Sequence, residues 1–153
     1  IFDGVRSRSI WECAGRVIFK GKANIGHGTK ISVADGAILQ IGDNFCVTAE
    51  SQIVCFKNIS FGTDVLVSWQ CLIMDTDCHN IIKNNQIINF DNDIVIGNNV
   101  WIGCRSTVLK GVHILDGNVV AANSNCVKTI DTLNAIIGGN PAKILNENIN
   151  WKN

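Results

Sequence analysis

His79 ends the run Met74-Asp75-Thr76-Asp77-Cys78-His79 and is one of only three histidines in the chain. A neutral imidazole at such a position can take the proton from a hydroxyl as that hydroxyl attacks a carbonyl, which is general-base chemistry. Asp75 and Asp77 are both near enough in sequence to hold the ring in one tautomer, and spacing does not choose between them. Composition alone makes His79 an ordinary exposed loop histidine, so its neighbours must carry the functional reading. His27 and His113 read as solvated surface residues. The seven cysteines form no C-x-x-C pair and are odd in number, which argues against a zinc ribbon or a dithiol redox site. They read instead as reduced, small hydrophobic residues of a cytoplasmic protein, with no metal expected.

Bulk composition narrows the partners. Thirteen basic and thirteen acidic residues cancel, so no net field gathers nucleic acid or an anionic membrane. Apolar residues make up 46% of the chain and charged residues only 17%, a balance suited to a long apolar core or a large subunit interface. No apolar run reaches the roughly 18 residues of a membrane span. The sequence as it stands shows no signal peptide, and its length fits one domain.

The elements that must position these residues follow from a six-residue period. From residue 96 the chain reads IGNNVW, IGCRST, VLKGVH, ILDGNV, VAANSN and CVK. Ile96, Ile102, Val108, Ile114, Val120 and Cys126 head the hexads, and Val100, Ser106, Val112, Asn118 and Ser124 lie four residues after a head. A period of six forms no stripe on a 3.6-residue helix. It fits a coil of three flat faces, each hexad giving one short strand and one corner. The first residue of each hexad points inward, and Gly or Asn takes the corner conformations. The pattern returns at Ile41, Val47 and Ile53 and at Phe61, Val67 and Ile73, with a two-residue slip between Ile53 and Phe61 that a corner can absorb. Ile25 heads a weaker copy. Residues 25–78 and 94–127 thus predict about five coils of a parallel β-helix.

Two stretches break the period. Residues 79–93, HNIIKNNQIINFDND, have no hexad phase and are predicted to be extruded as a loop. The tail 140–153 opens with Asn140-Pro141 and reads as an N-cap, a first-turn proline and an amphipathic helix, its Ile144, Leu145 and Ile149 capping the coil stack. The expected organisation is therefore an all-β solenoid over 1–139 followed by a short capping helix.

The run WIGCRSTVLKGVHILDGNVVAANSNCVK, followed by IIGGNPAKI, resembles the hexapeptide-repeat acetyltransferases. That family includes galactoside and maltose acetyltransferases, xenobiotic acetyltransferases and the O-acetyltransferases of polysaccharide synthesis. D-x-D-x-H at 75–79, N-V-W-I-G at 99–103 and G-N-P-A-K at 139–143 carry the resemblance, and the ENINW tail is most similar to polysaccharide-type members. It implies a left-handed parallel β-helix, acetyl-CoA as co-substrate, and a homotrimer with active sites between subunits. His79 matches the family's general base. Trp101 matches a tryptophan that lines the cleft in some members, against the plainer reading of a corner aromatic packed on the next coil.

The resemblance also places acetyl-CoA against the C-terminal coils through Gly103, Cys104, Ala121, Ala122, Val127, Lys128 and Lys143. Lys143 is less securely matched than Lys128, because one extra residue lies between them compared with some members. Asn123 and Asn125 depart from the commoner Gly and Val. The expected activity is O-acetylation of a sugar or polysaccharide precursor. A xenobiotic acceptor or N-acetylation of a nucleotide sugar is the alternative. A γ-type carbonic anhydrase would need three converging histidines, and a non-catalytic scaffold would have no use for these motifs together.

Overall fold

The computed structural model describes residues 5–152. The ends of both expected segments, residues 1–4 and 153, lie outside the described residues. Hexad periodicity becomes three parallel faces. The first is built from Ile10–Cys13, Lys30–Val33, Gln52–Cys55, Leu72–Met74, Thr107–Leu109 and Asn125–Cys126. The second contains Arg16–Phe19, Ile38–Ile41, Asn58–Phe61, Ile94–Ile96 and His113–Ile114. The third stacks Ala23–Ile25, Phe45–Val47, Leu66–Val67, Trp101–Ile102, Val119–Val120 and Ile136–Gly139. Each face returns to itself one coil later, which is the left-handed parallel β-helix expected, here with six coils.

The hexad heads form continuous ladders. Ile31, Ile53, Ile73, Val108 and Cys126 stack in register on the first face. Val47, Val67, Ile102, Val120 and Ile137 do so on the third. All of these are at most 2% exposed, as are the small residues Val100, Ser106, Val112, Asn118 and Ser124. Phe45 and Phe61 meet at 4.8 Å between ring centroids inside the coil. Full burial of each such aliphatic contributes about 1.5–3 kcal/mol, so the stacked heads hold the coils together. The corners use left-handed backbone at Asn44, Asn99 and Asn123, among others. Asparagine tolerates this conformation better than bulkier residues do.

The structure departs from the sequence reading at both ends. A first coil, starting at Ile10, precedes the five that the period revealed. Its first two strands escape the pattern: at this open end Trp11 is 51% and Phe19 46% exposed and the two rings stack on each other, while Val17, Ala23 and Ile25 pack partly buried against the core. The tail is not a helix. Ala142–Asn146 pairs antiparallel with Ile136–Gly139, turning at Gly139, whose φ is 100°. A helix would leave the edge of the third face with unpaired backbone groups, which the added strand satisfies. Ile144 and Leu145 are exposed and cap nothing. Beyond them the Ile149 N–H donates to the Asn134 carbonyl and the Trp151 indole to that of Asn99. The tail therefore runs back along the molecule.

The cysteines sort as small hydrophobic residues. Cys55, Cys71 and Cys126 are buried, Cys46 and Cys104 half-buried, Cys13 and Cys78 exposed, and all seven are free. Burial pushes the Cys55 thiol up to about 12 and those of Cys71 and Cys126 to about 11, which keeps them unreactive at neutral pH.

Candidate active site on two corners

His79 stands where the first face ends in its fourth coil. It is exposed and lines a cavity of about 160 Å³ with Phe56, Thr76, Cys78, Asn89 and Phe90. The extruded segment is not shapeless. Ile82–Lys83 and Gln86–Ile87 form an antiparallel hairpin, and Asn84 and Asn85 both take left-handed backbone at its turn. Asn-Asn between two isoleucine pairs was the readable signal for such a hairpin. Ile81, Ile82, Ile88 and Phe90 are 55–71% exposed, so the hairpin carries an apolar surface away from the coil.

Asn89 fixes the base of this loop. Its side chain accepts from the Ile81 N–H and donates to the Asp77 carboxylate and to the His79 carbonyl. Lys110, one coil further on, bridges Asp77 and the Asn89 carbonyl. Neither Asn89 nor Lys110 was visible in the sequence as a site residue: Asn89 acts through the folded-back loop, and Lys110 reaches it from the next coil.

Asp77 therefore faces a lysine and an amide. The Lys110 ammonium, and after it Asn89, holds its carboxyl below the usual carboxylate range. A carboxyl lowered in the folded state stabilises the protein above its ordinary value near 4, and loses that contribution as pH falls through the lowered one. In Lys110→Met the main cause of the shift is gone. Loop protection, read by amide hydrogen exchange across residues 79–93, should then be lost at higher pH than in the parent protein.

Asp75 has a different task from the one its position suggested. It is fully buried, and its carboxylate accepts three backbone N–H groups, from Phe56 at 2.7 Å, Lys57 at 2.9 Å and Asn58 at 2.8 Å. These residues form the corner that absorbs the two-residue slip, so Asp75 holds the preceding coil. Asp93 closes the loop from its other end by pairing with Lys57 at 3.0 Å.

The expected cofactor positions divide between two corners. Gly103, Cys104, Ala121 and Ala122 stack where the third face turns into the first, on successive coils. A Cβ on Gly103 would stand 2.6 Å from the Val120 carbonyl oxygen and 2.7 Å from the Ala122 nitrogen, so only glycine permits this approach of backbones. Lys143 pairs with Gly138 on the added strand at the same end. Val127 and Lys128 follow Asn125–Cys126 on the opposite edge of the first face, the edge that carries His79. The small side chains along the first corner leave a low track for a narrow chain such as pantetheine. Lys143 and Lys128 supply exposed positive charge.

Trp101 lies on the third face, 38% exposed. Its indole N–H donates to Ser68 Oγ at 3.0 Å and its ring tilts against Trp151 at 5.9 Å. Within one chain it faces the tail, and His79 occupies the far edge of the first face. His113 is exposed as expected, whereas His27 is half-buried in a corner. Among the described residues no three His, Cys, Asp or Glu side chains cluster in a metal-binding arrangement. Among the described residues no helix is long and apolar enough to cross a membrane.

Comparison with known proteins gives concordant results. Residues 93–127 match the family described as bacterial transferase hexapeptide (six repeats). A probable macrolide acetyltransferase of Lysinibacillus sphaericus is 33% identical over 101 residues, covering 66% of this chain and 56% of the relative. Galactoside O-acetyltransferase of Escherichia coli strain K12 is 32% identical over 115 residues, covering 73% and 55%. The chain thus spans about half the length of these curated relatives. Among solved structures, the polySia-specific acetyltransferase NeuO superposes with a TM-score of 0.76 at 28% identity, covering 90% of this chain and 68% of that one.

Proposed function

This chain is a hexapeptide-repeat protein of the bacterial transferase kind, and from that premise we propose that it moves an acetyl group from acetyl-CoA to a hydroxyl of a sugar or polysaccharide precursor. The observation that carries this reading is the placement of His79. It stands at the mouth of an ordered extruded loop, with its ring exposed beside a cavity and its backbone fixed by Asn89.

Acetyl-CoA supplies the activated acyl group. His79 removes the proton from the acceptor hydroxyl as the new ester bond forms, and returns it to the departing thiol sulfur. Asp77, paired with Lys110 and Asn89, keeps the loop in place, so its role is one of positioning. Gly103, Cys104, Ala121 and Ala122 line the track for the pantetheine arm and Lys143 at the same end meets the phosphates, while Val127 and Lys128, on the His79 edge, reach that track only from a second copy of the chain.

His79 and the Gly103 corner lie on opposite edges of the first face, and the hairpin bears exposed Ile81, Ile82, Ile88 and Phe90. Both features support a homotrimer in which the loop of one copy reaches the corner of the next. Trp101 would then line the shared cleft. The free cysteines suit a cytoplasmic site of action. A xenobiotic acceptor is the second reading, favoured by the likeness to the macrolide acetyltransferase.

Thermal denaturation with coenzyme A tests the cofactor part directly. At a hundredfold excess over Kd, a ligand bound only by the folded state stabilises by about 2.7 kcal/mol, so the melting temperature should rise by several degrees. No shift at millimolar coenzyme A would remove the reading.

A further inference from the structure

We propose that the corner between the third and first faces carries a subsite for the anionic group of an acidic sugar acceptor. This rests on the acetyltransferase reading for its place in the reaction, and adds the charge class of the acceptor. A recess of about 540 Å³ on this corner is lined by Arg6, Ser7, Arg8, Lys30, Glu50 and Gln70, among others. Among the described lining residues Arg8 and Lys30 stand with a single carboxylate, Glu50, in a chain whose formal net charge is zero.

The carboxylate is already engaged. Glu50 accepts from Ser7 Oγ at 2.8 Å through one oxygen and from Gln70 Nε2 at 3.1 Å through the other. These two hydrogen bonds are the main reason its carboxyl lies below the usual range, with Lys30 among the lesser causes. Arg8 has no acidic partner among the described residues, and Lys30 points outward, since its neighbour Ile31 fills the core.

The recess is linked to the candidate cofactor track by a ladder of hydrogen bonds. Gln70 accepts from Arg105 Nε at 3.1 Å, so Glu50, Gln70 and Arg105 form a ladder with one residue on each of three successive coils. All three have left-handed backbone, with φ of 51°, 59° and 58°. Long side chains seldom occupy that conformation; here it aligns them along the corner. Arg105 directly follows Cys104, which places the positive recess beside the positions assigned to pantetheine.

A guanidinium matches a carboxylate or phosphate through paired hydrogen bonds, while a lysine acts as a point charge. The ligand class is therefore a sugar bearing one of these two groups. Calorimetric titration of the whole chain tests it, using an oligomer of a carboxylate-bearing sugar, a phosphorylated sugar of similar length and a neutral one.

The anionic ligands should bind more tightly than the neutral one and weaken as salt is raised, and the stronger of the two identifies the group. Arg8→Gln and Lys30→Gln should each lower the preference for anionic over neutral ligand about tenfold. Both side chains are exposed, and melting curves would verify folding. The titration needs no turnover, so it reports on this subsite even if acetyl transfer fails, and a separate acetyl-CoA titration reports on the activity reading. Equal binding of anionic and neutral sugars, or an unchanged preference in both variants, would overturn the proposal.

Discussion

His79→Ala should lose most acetyl transfer while keeping its affinity for acetyl-CoA. General-base assistance is worth about 10²–10⁴ in rate, and that is the expected fall in kcat. Binding should survive because the assigned cofactor positions Gly103, Cys104, Ala121 and Ala122 lie on the other corner of the coil. The fold should survive as well, because the loop is anchored through the His79 carbonyl and Asn89, neither of which the substitution removes. Steady-state kinetics with a calorimetric acetyl-CoA titration separates the two effects. Turnover equal to that of the parent protein would eliminate His79 as the base. A parallel loss of turnover and cofactor affinity would instead make it a structural residue of the loop.

Asp75→Ala should produce the largest loss of stability from any single charged residue near the site. The substitution leaves three N–H groups of residues 56–58 without their acceptor in a corner packed against the next coil. An unsatisfied buried group costs about 1–3 kcal/mol. Some rehydration is expected, so the total should reach about 3–5 kcal/mol, or a melting temperature lower by roughly 10 °C. Asp75→Asn keeps one carbonyl oxygen and should fall between the two. Chemical denaturation of both variants measures this. An Asp75→Ala protein as stable as its parent would refute the assignment of the carboxylate to the corner. The Asp75 carbonyl, which accepts from the Asn92 N–H at the loop's return, survives the substitution, so any fall in activity should come from the loosened corner.

Several features were legible because they are local or periodic. Every hexad head from Ile41 to Cys126 is buried, as the spacing required, and the slip between Ile53 and Phe61 falls at a corner. The hairpin around Asn84 and Asn85 was also written locally, in a two-residue turn signal that the loss of hexad phase concealed. Asp75 and Asp77 could not be told apart on paper. They are two residues apart in an extended segment, and their tasks depend on what the neighbouring coils bring to each: three amides of one coil for Asp75, a lysine of another for Asp77.

The chain's own order determined the solenoid, the place of the extruded loop and the exposed histidine that opens it, because burial of one aliphatic in six needs no information beyond the next hexad. Tertiary structure alone decided the tail, the partners of the acidic residues and the basic recess. A strand rather than a helix follows Pro141 because the last coil presents an unpaired edge. Arg8, Lys30, Glu50, Gln70 and Arg105, spread over almost a hundred residues, meet on one corner because each turn of the coil brings distant sequence to within a single strand spacing.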